Sequence, residues 1–277
     1  MCGICGIVGS GNHDDILKMM KPLTHRGPDG QGVWSNSKDI YFGHKRLSII
    51  DLERGKQPMT SLCGKVVITY NGEIYNSNKL RSELEKKGYA FKTTNSDTEV
   101  IINGYLAWGE QVVKKLNGMW AFAIFDSKNQ KVFLSRDRFG EKPLFYYHSN
   151  NKLLFASELS SFESLSSFDR EISKIALAKY MAHGYVPAPH SILNGVYKLP
   201  AGTNLSFNIS KNQILLEKYW EFIIEPHASG LRSEAEYAEE LLHLLIESVN
   251  KRLVSDVPLG TFLSGGIDST TITKLAR

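Results

Sequence analysis

The residues at the start of the chain are suited to nucleophilic chemistry. Removal of Met1, which requires a small second residue, would leave Cys2 with a thiol and a free α-amine on the same residue. A thiolate is a strong nucleophile, but a free thiol has a pKa of about 8.5 and needs a base near neutral pH. The α-amine titrates at roughly 7.7 to 8.0, so its unprotonated fraction can accept that proton. The alternative is that Cys2 is only a small apolar residue of a buried first strand.

Two other roles of the Cys2-x-x-Cys5 pair are excluded. A zinc site requires four ligands, and no second cysteine pair or nearby histidine cluster supplies the remainder. A thioredoxin-like motif belongs at a strand-to-helix junction within a βαβ unit, whereas this pair lies at residue 2. The third cysteine, Cys63, makes the number odd, which argues against a disulfide framework and favours a reducing cytoplasm.

The overall composition is that of an ordinary globular protein. Its 277 residues suggest one large domain or two, and 42% of them are apolar and 22% charged. A net charge of +4 without a basic run argues against a nucleic-acid partner. No stretch approaches the ~18 apolar residues of a membrane span, and the N-terminus lacks a signal-peptide pattern. We therefore expect a cytoplasmic protein with neither a nucleic-acid nor a membrane partner.

A second candidate site lies near residue 265. The apolar run 257–263 predicts a strand, which continues into Ser-Gly-Gly-Ile-Asp-Ser and a predicted helix. A strand, a glycine loop and a helix start place backbone N–H groups around an anion, so this pattern indicates a phosphate site. It is not a Walker A sequence. A tight turn would explain one glycine, but not two glycines together with Ser264, Asp268 and Ser269.

The elements between these two sites predict an α+β first domain. An early strand over 66–70 ends at Asn71-Gly72, and the helix that follows is ended by Gly88. The charged run 136–140 is interpreted as a turn held by internal ion pairs, and Arg26 as a turn residue able to face the end of the first strand. Four later runs predict the strands of one antiparallel meander: 119–126, 131–137, 144–148 and 153–157.

Two helix starts carry a capping-box pattern. Ser96 and Glu99 predict the first, for a helix that ends near Trp108, and Ser233 and Glu236 predict the second. Asp97 falls at the first helical position, where a carboxylate is favoured by the helix dipole alone. Its position in the sequence therefore does not separate a structural from a functional role.

Taken together, these motifs resemble those of the glutamine-hydrolysing asparagine synthetases. The resemblance covers essentially the whole chain, because the motifs come in the family's order: CGICG, RGPDG, KRLSIID, YNGEIYN, SDTEVI, RDRFGEKPLFY and SDVPLGTFLSGGIDS. It implies an N-terminal-nucleophile αββα sandwich of antiparallel sheets, followed by the beginning of a doubly wound α/β nucleotide-binding domain. The implied divisions are a glutaminase (class II glutamine amidotransferase) domain over 1–218, a linker over 219–232 and the start of an ATP-binding synthetase domain over 233–277.

For the first domain, the resemblance implies that Cys2 attacks the side-chain amide of glutamine. The side-chain amide of Asn71 and the backbone N–H of Gly72 would form the oxyanion hole. The remaining residues would bind the substrate: Arg46 the α-carboxylate, Asp97 and Glu73 the α-ammonium region, and Ile49 and Ile50 the flank of the pocket. This half needs no cofactor.

For the second domain, the resemblance implies ATP and Mg²⁺ as cofactors and aspartate as the acceptor of ammonia. Leu263 would contact the nucleotide, and Asp268 would ligate Mg²⁺ through the pyrophosphate. The pyrophosphate would be bound by Ser264, Gly265, Gly266 and Ser269. A homodimer is the assembly that the resemblance suggests.

The resemblance also implies that the synthetase domain continues well past the glycine loop. We therefore expect residues 1–277 alone not to form asparagine, and we expect 233–277 to be poorly ordered or to depend on packing against the first domain. Two other functions stay open at this point. One is an amidotransferase for a different carboxylate, such as a cell-surface sugar acid, and the other is a non-catalytic protein that keeps the fold.

Overall fold

A computed structural model describes residues 1–51, 54–149, 151–225 and 232–277. The chain divides into two compact units, Met1–Glu221 and Phe222–Arg277. The division falls three residues beyond the boundary predicted at 218, because Tyr219 and Trp220 pack on the first unit. The Tyr219 hydroxyl donates to Arg136 O at 2.7 Å, and the Trp220 ring contacts Phe139 with the ring centroids 4.9 Å apart.

Two antiparallel sheets form the body of the first unit. The strands of the described residues are β1 (Gly3–Val8), β2 (Gly30–Ser35), β3 (Ile40–Arg46), β4 (Met59–Thr60), β5 (Val66–Ile74), β6 (Gly118–Asp126), β7 (Lys131–Arg136), β8 (Phe145–Ser149), β9 (Lys152–Ala156), β10 (Val196–Lys198), β11 (Thr203–Asn208) and β12 (Gln213–Lys218). The first sheet has the order β10-β8-β9-β1-β3-β2, and the second has the order β12-β11-β7-β6-β5-β4.

Helices of the first unit cover the outer faces of both sheets. The helices of the described residues are α1 (His13–Met20), α2 (Ser77–Lys86), α3 (Asp97–Trp108), α4 (Val112–Lys115), α5 (Ser160–Glu163), α6 (Lys174–His183), α7 (Glu234–Lys251) and α8 (Ile267–Leu275), with 3₁₀ turns at Lys21–His25 and Gly109–Gln111. No helix in this part of the chain has both the length and the apolar composition required to cross a bilayer.

The alternation of apolar side chains along the strands produces three core layers. On β1, Ile4 faces the layer between the sheets, whereas Cys5 and Ile7 face α1. On β5, Val67 faces the same inner layer, whereas Ile68 faces the layer beneath α2 and α3. The order of layers is therefore helix, sheet, sheet, helix, which confirms the predicted α+β sandwich.

Two predictions about the strands are wrong. The four later strands do not form one meander, because β6 and β7 pair in the second sheet whereas β8 and β9 pair in the first. Strand β5 does not end before Asn71-Gly72 but continues to Ile74, with Asn71 opposite Ala121. The two hairpins that the turns predicted are present, but their assignment to different sheets depends on pairings between distant strands.

The predicted cap of α3 is also wrong in its details. The helix begins at Asp97 as predicted, but the Ser96 side chain makes no capping hydrogen bond. The Glu99 carboxylate instead accepts from Thr93 N and Thr93 Oγ1 at 2.8 and 2.5 Å. Glu99 thus fixes the segment before the helix and does not act as a cap.

The second unit contains α7 and α8. The capping box of α7 is present as predicted, with Ser233 Oγ accepting from Glu236 N and Ser233 N donating to the Glu236 carboxylate. The run 257–263 is not a strand, which corrects that prediction. A strand forms only where a second strand supplies the other half of its hydrogen bonds, and none of the described residues pairs with 257–263.

Candidate active site

The ends of β1, β3 and β5 and the start of α3 converge on a cavity of about 120 Å³. All eight residues of the first predicted site line this cavity: Cys2, Arg46, Ile49, Ile50, Asn71, Gly72, Glu73 and Asp97. The structure therefore brings together residues that lie up to 95 positions apart in the sequence. Their chemical roles stay predictions.

Cys2 is half-buried at the entrance to β1. Its Sγ accepts a hydrogen bond from Leu47 N at 3.4 Å and lies 3.6 Å from Leu47 O. Burial raises the pKa of the Cys2 thiol, and the contact with the Leu47 backbone offsets part of that effect. The thiol therefore needs a base in order to react near neutral pH.

The cavity offers few bases for that proton. None of the described residues that line it is a histidine. His44, two positions before Arg46 on β3, is fully buried and contacts Thr69 Oγ1 at 3.2 Å, and burial lowers its pKa to about 3. Burial also lowers the pKa of the Met1 α-amine. The described lining of the cavity therefore offers no imidazole as the base, and the amine that removal of Met1 would expose on Cys2 stays the predicted base.

Arg26 fixes the chain start from the outside. Its Nε donates to Cys2 O at 3.0 Å, and its Nη1 donates to the Glu158 carboxylate at 2.9 Å. Arg26 therefore lies beside the start of the first strand and holds the Cys2 backbone in place, but it does not line the cavity.

Asn71 and Gly72 present donors on one wall of the cavity. Asn71 is 2% exposed, and no atom of the described residues accepts a hydrogen bond from its Nδ2. Leaving a buried donor without an acceptor costs about 1–3 kcal/mol, so this group is suited to an acceptor that arrives with a ligand. At Gly72, a Cβ atom would lie 2.2 Å from Met119 O on the paired strand, and only glycine fits this close approach.

Asp97 lies both at the start of α3 and in the wall of the cavity. The sequence alone did not decide between a structural and a functional role for it. It is buried at the start of α3, and its Oδ2 accepts from the Tyr70 hydroxyl at 2.8 Å and from Ile74 N at 3.1 Å. Burial raises the pKa of this carboxyl, and the hydrogen bonds offset part of the rise. A cation in the cavity, such as an α-ammonium group, would stabilise the charged form further.

Arg46 lies beneath the loop that carries Ile49 and Ile50. Its Nη2 donates to Ile50 O at 3.2 Å and to Asp51 O at 2.7 Å. These bonds orient the guanidinium and join the loop to the strand end, while Arg46 still lines the cavity. Residues 52 and 53 of this loop lie outside the described residues.

The sequence analysis did not assign several other residues to the cavity, among them Tyr70, Gln57 and Lys142. Tyr70 donates to Asp97, and Gln57 accepts from Tyr70 N at 2.7 Å and donates to Thr98 Oγ1 at 3.3 Å. Lys142 is 6% exposed and reaches the cavity from the turn after β7. Tyr70 precedes the predicted Asn71-Gly72 pair, which was a usable signal, whereas nothing in the local pattern marked Lys142 or Gln57.

The charged turn after β7 is held by backbone contacts in place of the predicted ion pairs. Arg136 donates to the carbonyl oxygens of Lys142, Leu199 and Gly140 at 2.8, 2.7 and 2.6 Å. Arg138 donates to Leu116 O at 2.8 Å. A guanidinium group has several N–H donors and can therefore bind a cluster of carbonyl oxygens. The run of alternating charges in the sequence did not indicate these backbone contacts.

The second predicted site is an exposed loop at the start of α8. Gly265 has a φ of +83°, which favours glycine, and Gly266 is the N-cap residue. Ser264 Oγ and Ser269 Oγ lie 3.0 Å apart, while Leu263 and Asp268 are exposed. Hydroxyls, glycine backbone and a helix start form a donor set that fits a pyrophosphate. The described residues contain no group of three side chains that could hold a metal ion by themselves.

Comparison with known families identifies the first unit. Residues 1–220 match the family described as glutamine amidotransferase domain. The chain belongs to this glutamine amidotransferase family. Residues 240–277 match a second family, described as asparagine synthase.

Two curated relatives show how the amidotransferase chain compares with longer proteins. A putative asparagine synthetase (glutamine-hydrolyzing) 2 of Methanocaldococcus jannaschii is 40% identical, and the match covers 100% of this chain and 57% of the relative. An asparagine synthetase (glutamine-hydrolyzing) 3 of Bacillus subtilis is 36% identical and covered over 45% of its length. The chain thus spans about half the length of these relatives, and the matches confirm the resemblance to their family.

A solved structure supports the fold. The glutamine phosphoribosylpyrophosphate amidotransferase from B. subtilis, complexed with ADP and GMP, aligns with a TM-score of 0.58 at 20% identity. The alignment covers 80% of this amidotransferase chain and 50% of the other. It shows that this chain shares the two-sheet fold of that amidotransferase.

Proposed function

We propose that this chain hydrolyses glutamine to glutamate and ammonia at Cys2. The observation that carries the proposal is the buried Asn71 Nδ2, which has no acceptor among the described residues and lines the same cavity as the Cys2 thiol. A nucleophile and a preorganised donor in one small cavity form the arrangement that acyl transfer requires.

In the proposed reaction, the α-amine that removal of Met1 would expose on Cys2 takes the thiol proton. The thiolate attacks the side-chain amide carbon of glutamine, and the resulting oxyanion accepts hydrogen bonds from Asn71 Nδ2 and Gly72 N. The amine returns the proton to the departing nitrogen, ammonia leaves, and a γ-glutamyl thioester remains. Water then hydrolyses the thioester with the same amine as base.

Arg46, Glu73 and Asp97 are proposed to hold the amino-acid end of glutamine. Arg46 presents a guanidinium, which binds a carboxylate in a planar bidentate geometry. Asp97 and Glu73 present carboxylates for the α-ammonium group, and Ile49 and Ile50 flank the pocket. These three side chains offer a cation to the α-carboxylate and anions to the α-ammonium group of a free amino acid.

For the whole protein, we propose that the ammonia is used to convert aspartate to asparagine. This rests on the match of residues 240–277 to the asparagine synthase family and on the names of the two relatives. ATP would supply the activation of the aspartate carboxylate. Ser264, Gly265, Gly266 and Ser269 would hold its pyrophosphate, Asp268 would ligate the accompanying Mg²⁺, and Leu263 would contact the nucleotide. The three free cysteines favour a cytoplasmic location.

The direct test is to supply glutamine to the chain from which Met1 has been removed. Release of glutamate and ammonia in equal amounts is expected, with a γ-glutamyl adduct on Cys2 detectable by mass spectrometry after acid quenching. Failure to release ammonia would contradict the glutaminase proposal. Formation of asparagine from aspartate, glutamine and Mg-ATP by the full-length protein, compared with other carboxylates, would test the acceptor separately.

Substitutions at Asp97 and Asn71 are expected to change different kinetic constants. Asp97→Asn should raise the KM for glutamine about 10- to 100-fold, because a charged hydrogen bond is lost from bound substrate and transition state alike. Asn71→Ala should lower kcat about 10²- to 10³-fold, because its donor meets charge that develops only in the transition state. Steady-state glutamine hydrolysis measures both constants.

Glu99→Gln provides the matched control for Asp97→Asn. Glu99 is a buried carboxylate of the same helix, but it does not line the cavity. Glu99→Gln should lower the stability of the protein and leave the KM for glutamine unchanged. If Asp97→Asn behaves like Glu99→Gln, Asp97 is only a helix-start carboxylate.

A further inference from the structure

Lys142 is a buried cation in the candidate active site for which neither the sequence motifs nor the proposed reaction supplies a role. Its Nζ lies 3.3 Å from Met1 Sδ, at the chain start, and the residue is 6% exposed. Burying the long side chain of a lysine costs conformational entropy and hydration, so its position requires a compensating interaction.

The backbone of Lys142 is fixed on both sides. Its N–H donates to Asp137 Oδ2 at 2.9 Å, and its carbonyl accepts from Arg136 Nε at 2.8 Å. The turn therefore directs the side chain toward the cavity. An exposed lysine on a mobile loop would not have this constraint.

The charge of Lys142 is not cancelled by a contact ion pair. Arg26, another cation beside the chain start, is paired with Glu158 at 2.9 Å. No carboxylate of the described residues lies within 4.0 Å of Lys142 Nζ. Burial lowers the pKa of Lys142, while Glu141 and Asp137 raise it. The ordinary pKa of a lysine, about 10.4, is so far above neutrality that the ammonium form persists.

We infer that Lys142 acts through the N-terminal amine: its ammonium charge keeps the α-amine of the Met1-trimmed Cys2 in the unprotonated form that can accept the thiol proton. This rests on the proposed glutaminase function. A positive charge beside an amine disfavours its ammonium form and lowers its pKa. Lys142 thus controls the protonation of the α-amine and does not itself contact the reacting atoms.

The charged and titratable groups around the chain start support this direction. They are the Cys2 thiol, Arg26, Asp29, Arg46, Glu73, Asp97 and Lys142. Burial is the largest cause of the lowered pKa of the Met1 amine, the Cys2 thiolate and Asp29 oppose it, and Arg26 and Lys142 add to it. Arg26 donates to Glu158 and to Cys2 O, whereas Lys142 lines the same cavity as Cys2 without a salt bridge to a described carboxylate, so Lys142 is the cation that can be replaced without breaking these contacts.

The test compares Lys142→Met with Lys142→Arg, in chains with Met1 removed. Methionine keeps the unbranched length without the charge, and arginine keeps the charge. The kcat/KM for glutamine hydrolysis is measured against pH. Lys142→Met should move the acid limb of the profile upward by about half a unit to one unit. At pH values below the acid limb, the kcat/KM of Lys142→Met would then be about three- to tenfold lower than that of the wild type. At pH values above the limb, the two would be equal.

A second measurement does not depend on activity. In protein labelled with ¹³C only at cysteine, the Cys2 ¹³Cα shift titrates with its own amine. The same upward movement is expected in Lys142→Met, whereas Lys142→Arg should keep the wild-type pKa. Lys198→Met is the matched control, because Lys198 is a partly buried lysine that donates to Val186 O away from the cavity.

The outcomes separate the alternatives. An unchanged Cys2 titration in Lys142→Met would overturn the inference, as would an equal loss of kcat/KM at every pH, which indicates a structural role. A raised KM with an unmoved acid limb would assign Lys142 to substrate binding and overturn it as well. If the wild-type chain does not hydrolyse glutamine, the proposed function fails, and the ¹³C titration still decides whether Lys142 controls the amine.

Discussion

Replacement of Cys2 by alanine is expected to abolish glutamine hydrolysis, with a loss of about 10⁴-fold or more in kcat. The thioester cannot form without the sulfur, and no other thiol lies in the cavity: Cys5 is fully buried in the layer beneath α1, and Cys63 is exposed elsewhere. Ammonia release measured on chains whose intact mass shows Met1 removed is the appropriate assay.

The control for this loss is Cys63→Ala. Its thiol is exposed and contacts Ser61 Oγ at 3.4 Å, so its removal should leave both stability and hydrolysis unchanged. Hydrolysis that survives Cys2→Ala would contradict the nucleophile assignment. Equal activity in chains that retain Met1 would instead contradict the assignment of the α-amine as the base, since that amine would still be part of a peptide bond.

Local patterns mark the elements on which some residues of the candidate site lie, and the resemblance to a known family assigned these residues to one site. Asp97 follows a helix-start signal, and Arg46 and Asn71 belong to runs of alternating or β-branched residues. To predict that these residues lie in one cavity, one must also know which ends of the two sheets lie together. The resemblance to a known family supplied this information, and the strand patterns alone did not.

What was missed depends on contacts between distant residues. The turns after β6 and β8 specify two hairpins, but no local feature specifies that β7 and β8 belong to different sheets. In the same way, Ser96 and Glu99 have the spacing of a capping box, yet Glu99 accepts hydrogen bonds from Thr93. Local spacing indicates which partners are available, and tertiary packing selects among them.

The turn after β7 illustrates the same limit at the site itself. Its sequence shows alternating charges, and surface ion pairs are the usual interpretation of such a run. In the structure, Asp137 is 1% exposed and accepts from four backbone N–H groups, which close the turn and direct Lys142 into the cavity. The sequence contains the donors and acceptors but not the conformation that pairs them.

Substitution of Asp137 by alanine is therefore expected to cost the first unit about 3–5 kcal/mol of stability. The carboxylate accepts from Trp120 N, Phe139 N, Glu141 N and Lys142 N at 3.2, 3.1, 2.9 and 2.9 Å. Alanine would leave these donors without their acceptor, and those of Trp120 and Lys142 belong to buried residues where water cannot replace it. Guanidinium unfolding followed by tryptophan fluorescence measures the change, because all four tryptophans lie within Met1–Glu221.

Asp169→Ala is the matched control for Asp137→Ala. Asp169 is exposed and accepts from a single backbone donor, Glu171 N, at 3.1 Å, so its removal should cost no more than about 1 kcal/mol. The loss of stability in Asp137→Asn should lie between those of the two alanine variants. The asparagine amide keeps one acceptor oxygen but turns an N–H₂ group toward backbone donors. If Asp137→Ala cost no more than Asp169→Ala, the four hydrogen bonds would not be what stabilises the turn. Lys142 would then owe its place in the cavity to the Arg136 contacts alone.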